Sequence, residues 1–235
     1  MQPTQDAPAE IIFKLWPWLE ANKVRLIGAA VAIVVIIGIY SFITTQKAER
    51  EVDAGRALTQ LLMTPPAGVN PSDALGQLAT KYAGTQAAQR AQLQAAATLF
   101  SIGHYPEAQA QFQKFLENSP GGALAATAQL GVAASLEAQG KNDLATAAYQ
   151  KTASTYSSTP SALPALCALG RINEQAGKLN EALSSYDAAA HAGQAGGTLA
   201  QEAAMHVAEI KAKLATQKTA APTAVTAVHA IAPAK

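Results

Sequence analysis

Three segments of the chain repeat one another at a fixed interval. GHYPEAQAQFQKFLENSP, GKNDLATAAYQKTASTYSSTP and GKLNEALSSYDAAAHAGQ each open on a glycine, with an alanine five residues later and an aromatic residue four residues after that. Successive glycines lie 37 residues apart. The matched residues are Gly103, Ala108 and Phe112, then Gly140, Ala145 and Tyr149, then Gly177, Ala182 and Tyr186. A constant period of this length indicates stacked units that bury their apolar faces against one another.

Each repeat has the pattern of a helical pair. The glycine ends one helix and permits a tight turn, the alanine allows close approach, and the aromatic side chain fills the space towards the following pair. Aromatic residues make up 6% of the chain and alanine is abundant, which favours packed helices over sheets. We therefore predict an all-α fold, a helical-pair solenoid capped by a final helix that begins near residue 198.

A long apolar run precedes the repeats. Leu26 to Ile43 contains no charged residue, and about 20 residues of helix cross a hydrocarbon core of roughly 30 Å. A helix of a globular protein would keep a polar stripe. The run is longer than the apolar core of a signal peptide (about 7–15 residues), and no A-x-A-like site follows it. With Cys167 as the single cysteine, no lipobox is present either. The run therefore predicts an uncleaved signal-anchor at 24–43, a single-pass transmembrane helix.

The charges beside this helix do not settle its orientation by number. Three basic residues lie before the uncharged run and three after it: Lys14, Lys23 and Arg25, then Lys47, Arg50 and Arg56. Lys23 and Arg25 are closest to the apolar core, and the preceding segment is too short for a translocated domain. We expect the amino terminus in the cytoplasm and the repeats in the periplasm, with the helix in a bacterial inner membrane.

Two tryptophans bracket a proline just before the apolar run. Pro17 is expected to break the incoming helix or to start the next one. Tryptophan is enriched at the lipid–water boundary, so the segment is interpreted as an interfacial foot. The alternatives are a simple helix flank, a core motif or a ligand cage. The expected interface residues are Trp16, Trp18, Lys14, Lys23 and Arg25.

These patterns divide the chain into five parts. An amino-terminal lead and interfacial segment (1–23) precedes the membrane helix (24–43), and linking helices with a first helical pair follow (44–88). Ser72 or Asp73 is suited to start one of these helices. The repeat array with its capping helix covers 89–215. The Ala/Pro/Thr-rich tail, 216–235, is expected to be disordered.

The histidine, cysteine and charged residues do not form a recognisable catalytic motif. There are 17 basic and 16 acidic residues without a basic block, which argues against nucleic-acid binding. Glu202 and His206 are four residues apart and could begin a metal site, although an ordinary helix pair is favoured because no further ligand is near. Cys167 fits a small buried filler better than a reactive thiol. We expect no cofactor, no metal and no enzyme activity, with an unnoticed active site as the remaining alternative.

The repeats resemble the tetratricopeptide family. The first repeat carries most of that pattern, with Gly103, Tyr105, Ala108, Phe112 and Pro120; the second has Asn142 at an aromatic or leucine position, and the third lacks the closing proline. Together with the anchor, the layout resembles the YfgM-like ancillary subunits of the SecYEG translocon. That resemblance implies a periplasmic repeat domain that works beside the Sec channel with protein partners.

The family resemblance also implies a binding groove, formed by the first helix of each pair. The residues expected there are Arg90, Leu93, Phe100, Leu130, Glu137, Arg171 and Glu174. Because leucine, alanine and cysteine occupy most of the remaining places, such a groove would prefer apolar segments to acidic tails. The alternative is that these side chains only fill the superhelix.

Two functions fit this layout. The first is a membrane-tethered interaction module that holds partner or client polypeptides near a membrane machine, as an ancillary subunit of the Sec translocon does. The second is a structural scaffold of an envelope complex, in cell division or wall synthesis. Both need the same helices, so the sequence does not separate them.

Overall fold

A computed structural model describes residues 7–192 and 197–220, and side chains from residue 16 to 218 within those ranges. This part of the chain contains nine helices and no strand. The helices are α1 (Ala7–Met63), α2 (Pro71–Lys81), α3 (Gln86–Ser101), α4 (Tyr105–Asn118), α5 (Gly122–Ala138), α6 (Asn142–Thr155), α7 (Ala162–Gln175), α8 (Leu179–Ala192) and α9 (Thr198–Ala220). The all-α prediction is confirmed.

The chain divides into two units, Met1–Gly55 and Arg56–Lys235. In the first unit, α1 continues through Pro17, so the expected helix break at this proline is wrong. A proline removes one backbone hydrogen bond and strains the turn before it, yet a helix can pass through when both flanks favour helix. The side chain of Lys14 and residues 1–6 lie outside the described residues.

The helix α1 includes a stretch long and apolar enough to cross a membrane. Its large side chains are exposed, including Trp16, Trp18 and Ile36. Polar groups at the two ends of the stretch bond to their own helix: the Asn22 amide donates to the Trp18 carbonyl (2.9 Å), and the Thr45 hydroxyl donates to the Ser41 carbonyl. Such internal bonds leave few polar groups that need water, as a lipid environment requires.

The second unit is a series of packed helical pairs. Ala57 and Leu58 near the end of α1 pack with Leu75 and Leu78 of α2, and α3/α4, α5/α6 and α7/α8 form the next three pairs. The final helix α9 packs on α8 and buries Ile210 completely. It continues to Ala220, so the sequence division after residue 215 falls within a helix. Residues 221–235 lie outside the described residues.

The three repeat glycines form the same helix C-terminus three times. Gly103, Gly140 and Gly177 have φ of 84°, 73° and 72°, a left-handed conformation that favours glycine. At the first, the Gly103 N–H donates to the Phe100 carbonyl (3.0 Å) and the next N–H to the Leu99 carbonyl (2.9 Å). These two bonds define the Schellman motif, which satisfies carbonyls that the helix end would leave unpaired. The motif sets the turn within each pair.

The start of α2 differs from the sequence expectation. The N-cap is Asn70, whose side chain accepts a hydrogen bond from the Ser72 N–H (3.0 Å), with Pro71 at the first helical position. Ser72, one of the two residues expected to start the helix, is instead buried, and its hydroxyl donates to the Ala95 carbonyl of α3 (3.2 Å). Asparagine is as good an N-cap as serine or aspartate, and a following proline is already set for the first turn.

Candidate partner-binding groove

Two open hollows lie on the face formed by the first helices of the pairs. The amino-terminal hollow, about 710 Å³, is lined by the end of α1 and by α3 and α5, with residues of α4 at its base. The carboxy-terminal hollow, about 390 Å³, lies among α5, α7 and α9. Leu130 and Ala134 of α5 line both hollows. The two hollows are therefore adjacent, with α5 between them, and are together called the groove below.

The amino-terminal hollow is mainly apolar. Leu58 and Leu62 face it from the end of α1, and Leu93 and Phe100 face it from α3. The Phe100 ring packs edge-on against Tyr105, with ring centroids 5.2 Å apart, a favourable arrangement for two aromatic rings. An apolar, partly preformed surface of this size is suited to the apolar side chains of a peptide or a partner helix.

Arg90 is the one charged side chain among the residues that line the amino-terminal hollow. It is exposed and forms no ion pair with any residue that the structure describes. A guanidinium in this position can attract a carboxylate of a bound segment, but water and salt screen such an exposed pair. Apolar contact is therefore expected to supply most of the affinity in this hollow.

The arginine of the carboxy-terminal hollow, Arg171, is paired with a glutamate that lies beside the hollow. One carboxylate oxygen of Glu137 in α5 accepts hydrogen bonds from the Tyr149 hydroxyl (2.8 Å) and from Arg171 Nη2 (2.9 Å). Arg171 Nη1 donates to the other oxygen. This bidentate pair joins α5 to α7, and the tyrosine of α6 completes it. The two charges neutralise each other, which leaves little net charge here to attract a ligand.

The pKa values of these groups follow from the same contacts. Burial alone would raise the pKa of Glu137, but the hydrogen bonds from Arg171 and Tyr149 outweigh it and lower that pKa. Burial and the hydrogen bond to Glu137 both raise the pKa of Tyr149. The hydrogen bond to Glu137 raises the pKa of Arg171. The ionised forms of Glu137 and Arg171 are therefore favoured at neutral pH.

The capping helix contributes a second polar cluster. Lys213 of α9 donates to Glu174 of α7 (2.9 Å), and the His206 ring stacks on Tyr186 with centroids 4.6 Å apart. His206 Nδ1 is buried without a hydrogen bond and lies 3.8 Å from a carboxylate oxygen of Glu174. These contacts attach α9 to the preceding pair. In these contacts the Glu174 carboxylate interacts with side chains of α9.

The residues considered for other chemistry also lie in the carboxy-terminal hollow. Glu202, His206 and Cys167 all line it. Within residues 7–192 and 197–220, no group of three histidine, cysteine or acidic side chains is placed to hold a metal ion. Cys167 is half-buried; burial raises the pKa of its thiol, and the charge of Glu202 adds to this effect. A thiol with a raised pKa is a weak nucleophile at neutral pH.

The structure brings together some of the residues that the sequence places in the groove. Arg90, Leu93, Phe100 and Leu130 line the amino-terminal hollow, and Leu130 and Arg171 line the carboxy-terminal one. Glu137 and Glu174 line neither hollow, and each forms an ion pair with a residue of another helix.

The end of α1 supplies a part of the groove that was not predicted from the sequence. Leu58 and Leu62 are four residues apart, and so lie on one helix face just before the break at residues 64–70. This four-residue spacing is the sequence feature that could have predicted their place in the groove. The membrane-interface residues Trp16 and Trp18 are exposed on α1, as an interfacial role requires but does not by itself establish.

Comparison with known families agrees with this architecture. The family profile described as "Tetratricopeptide repeat-like domain" matches residues 14–214. The chain belongs to the tetratricopeptide repeat-like domain family. The match begins before the apolar run, so this tetratricopeptide-like domain includes most of α1 as well as the helical pairs and most of α9. A search of curated proteins finds no match. Domains of this kind are typically non-catalytic modules for protein–protein interaction.

Proposed function

We propose that this tetratricopeptide-like protein is a membrane-tethered interaction module that holds apolar segments of partner or client polypeptides. The observation that carries the proposal is the open, apolar hollow of about 710 Å³ on the face of the first helices. The chain also has a helix apolar enough to span a membrane. Tethering raises the local concentration of the groove for partners in the same membrane, so a modest affinity is sufficient.

The machine that we propose as its partner is the Sec translocon, with this chain as an ancillary subunit. The support is the layout: one anchor followed by a small repeat array, as in the YfgM-like subunits. In this arrangement α1 crosses a bacterial inner membrane with Trp16 and Trp18 at its cytoplasmic boundary. The array lies in the periplasm, where exported polypeptides emerge unfolded and expose apolar segments.

The orientation can be tested with a cysteine introduced at Glu51, just after the span. In the Cys167→Ala background, a membrane-impermeant maleimide should label this cysteine from the periplasmic side of intact cells. Labelling that requires lysis would place the array in the cytoplasm and would exclude the translocon proposal.

The partner can be tested by photocrosslinking in native membranes. Ala97 is exposed and lines the amino-terminal hollow, so a benzoylphenylalanine there can face a bound segment. Ala110 of α4 is also exposed but lines neither hollow, and serves as the matched position. We expect adducts with translocon subunits or exported chains from position 97 and not from 110.

Two other outcomes would redirect the proposal. Adducts from position 97 in fixed stoichiometry with cell-division or wall-synthesis proteins would favour the envelope scaffold. Equal adducts from positions 97 and 110 would refute a role for the groove. As a second measurement, Ala97→Glu should weaken capture about tenfold, because a carboxylate is placed against an apolar surface, and Ala110→Glu should not.

A further inference from the structure

The carboxy-terminal hollow adjoins the helix after which the chain continues. Leu199, Ala203 and His206 of α9 form one side of this hollow, and Leu130 and Cys167 lie opposite. Residues 221–235, here called the tail, follow α9 directly. The hollow is about 390 Å³, roughly half the volume of the other, and so offers room for a few side chains.

The tail has the composition of a ligand for an apolar groove. Val225, Val228 and Ile231 occur at every third position between Pro222 and Pro233. A spacing of three puts such side chains on one edge of a polyproline II segment, which has three residues per turn and little ordering entropy left to lose. The tail contains no acidic residue.

The charge of the hollow agrees with an occupant of this kind. Arg171 is already paired with Glu137, so the remaining formal charge comes from Glu202, which lines the hollow and forms no ion pair within the described residues. An acidic segment would be repelled here, whereas a segment whose one charged side chain at neutral pH is Lys235 would not.

We propose that the tail folds back along α9 and places Ile231 in the carboxy-terminal hollow beside Cys167. This inference rests on the proposed role of the groove as a binding site for apolar segments. It makes the tail an internal occupant of one half of the groove, which a partner reaching past α5 must displace.

The reach of the chain selects this residue and this hollow. Ala220 lies 17 residues after Ala203, a distance of about 26 Å along a helix. From Ala220, five residues to Val225 span at most about 18 Å, whereas eleven residues to Ile231 span at most about 40 Å. Val225 cannot reach the level of Ala203, Val228 reaches it only when its eight residues are almost fully extended (about 29 Å), and Ile231 reaches it with slack.

The amino-terminal hollow is farther from Ala220, after which the tail begins, than the carboxy-terminal hollow is. It lies beyond α7 and α5 from α9, and each helix adds about 8–10 Å across the face. With about 26 Å along α9 and about 16–20 Å across two helices, the path is roughly 31–33 Å, which uses most of the approximately 40 Å that Ile231 can span. The tether therefore favours the nearer hollow, where the local concentration of the tail is highest.

The single native cysteine supplies the test. In full-length protein in lipid nanodiscs, Ala232→Cys places a second thiol beside Ile231, and oxidised glutathione then drives disulfide formation with Cys167. Peptide mapping by mass spectrometry follows the rate. We expect an intramolecular disulfide, at least tenfold faster in Ala232→Cys than in the same variant carrying Ile231→Asp. Ala224→Cys, only four residues beyond Ala220, is the control that should form none.

The remaining outcomes are informative. Equal rates with and without Ile231→Asp would mean that the tail only diffuses past Cys167, which would overturn the proposal. A disulfide between two copies of the chain would also overturn it, in favour of exchange between neighbours. Photocrosslinking from position 97 reports on the other hollow. If those adducts persist while the disulfide test fails, the partner-binding function stands and the tail proposal falls. If the adducts are lost while the disulfide test is positive, the tail proposal stands and the partner-binding function falls.

Discussion

Replacing Gly131 with alanine tests how closely the helical pairs pack. Gly131 lies within α5, and a Cβ built there would meet three atoms of the Phe112 ring at 2.6, 2.6 and 2.7 Å. Carbon atoms do not approach this closely without a shift, so the buried Phe112 ring must move, either against its core neighbours or towards the amino-terminal hollow that it lines. Alanine in place of glycine in a helix interior gains about 1 kcal/mol from propensity. Overpacking a core typically costs about 1–3 kcal/mol, and a contact this short favours the upper part of that range.

The net expectation for Gly131→Ala is a loss of about 1–2 kcal/mol in the free energy of unfolding, from the difference between these two effects. For a chain of this size the loss corresponds to a decrease of roughly 2–8 °C in Tm. Thermal and urea unfolding of the full-length protein in detergent, followed by circular dichroism at 222 nm, measures both quantities. Hydrogen exchange of α4 and α5 would locate the effect.

Gly76 in α2 provides the matched control. A Cβ at Gly76 meets nothing within 4 Å, so Gly76→Ala should gain stability by up to about 1 kcal/mol from propensity alone. Combining Gly131→Ala with Phe112→Leu should recover part of the loss, since the smaller side chain makes room for the new methyl group. A Gly131→Ala variant as stable as Gly76→Ala would refute the packing argument.

Two further substitutions test the polar contacts. The folded-state pKa of Glu137 is lowered, so its contribution to stability is present above the unfolded pKa of about 4.3 and is lost as pH falls through the folded value. Arg171→Met removes that contribution, so the urea-unfolding free energy of this variant should change less between pH 6 and 3 than that of the original protein. Parallel pH profiles of the two proteins would contradict this. Thr85 caps α3 by accepting a hydrogen bond from the Ala88 N–H (3.1 Å), so Thr85→Ala should cost about 1 kcal/mol of unfolding free energy. Thr127→Ala, which removes only a mid-helix hydroxyl, should change it by a few tenths, and an equal loss in both variants would exclude the capping effect.

Regular features of the sequence predicted the regular parts of the fold. Gly103 and its two equivalents mark a turn that recurs every 37 residues, and a left-handed glycine at a helix end leaves few alternatives for the backbone. The apolar run likewise announced a long helix, because no charge interrupts it. Both signals are local or strictly periodic, so they can be recognised in the sequence without knowledge of the three-dimensional contacts.

Contacts between side chains of different helices could not be predicted from the sequence in this way. Glu137 and Arg171 are 34 residues apart, and only the superposition of successive pairs brings the two side chains together. The sequence pattern placed both residues in the groove and gave no sign that they pair with each other. The helix through Pro17 is the converse case, in which a strong local signal was outweighed by the helix on both sides.

The position of α5 gives the groove a property that neither hollow has alone. Leu130 and Ala134 line both hollows, so an occupant of one hollow would contact the same two side chains as an occupant of the other. Linkage then requires reciprocity: if a partner in the amino-terminal hollow weakens binding in the carboxy-terminal one, an occupant there weakens the partner by the same factor. A substitution at Ala134 would therefore alter two affinities at once, and the sign of their joint change would report whether the two occupants cooperate or compete.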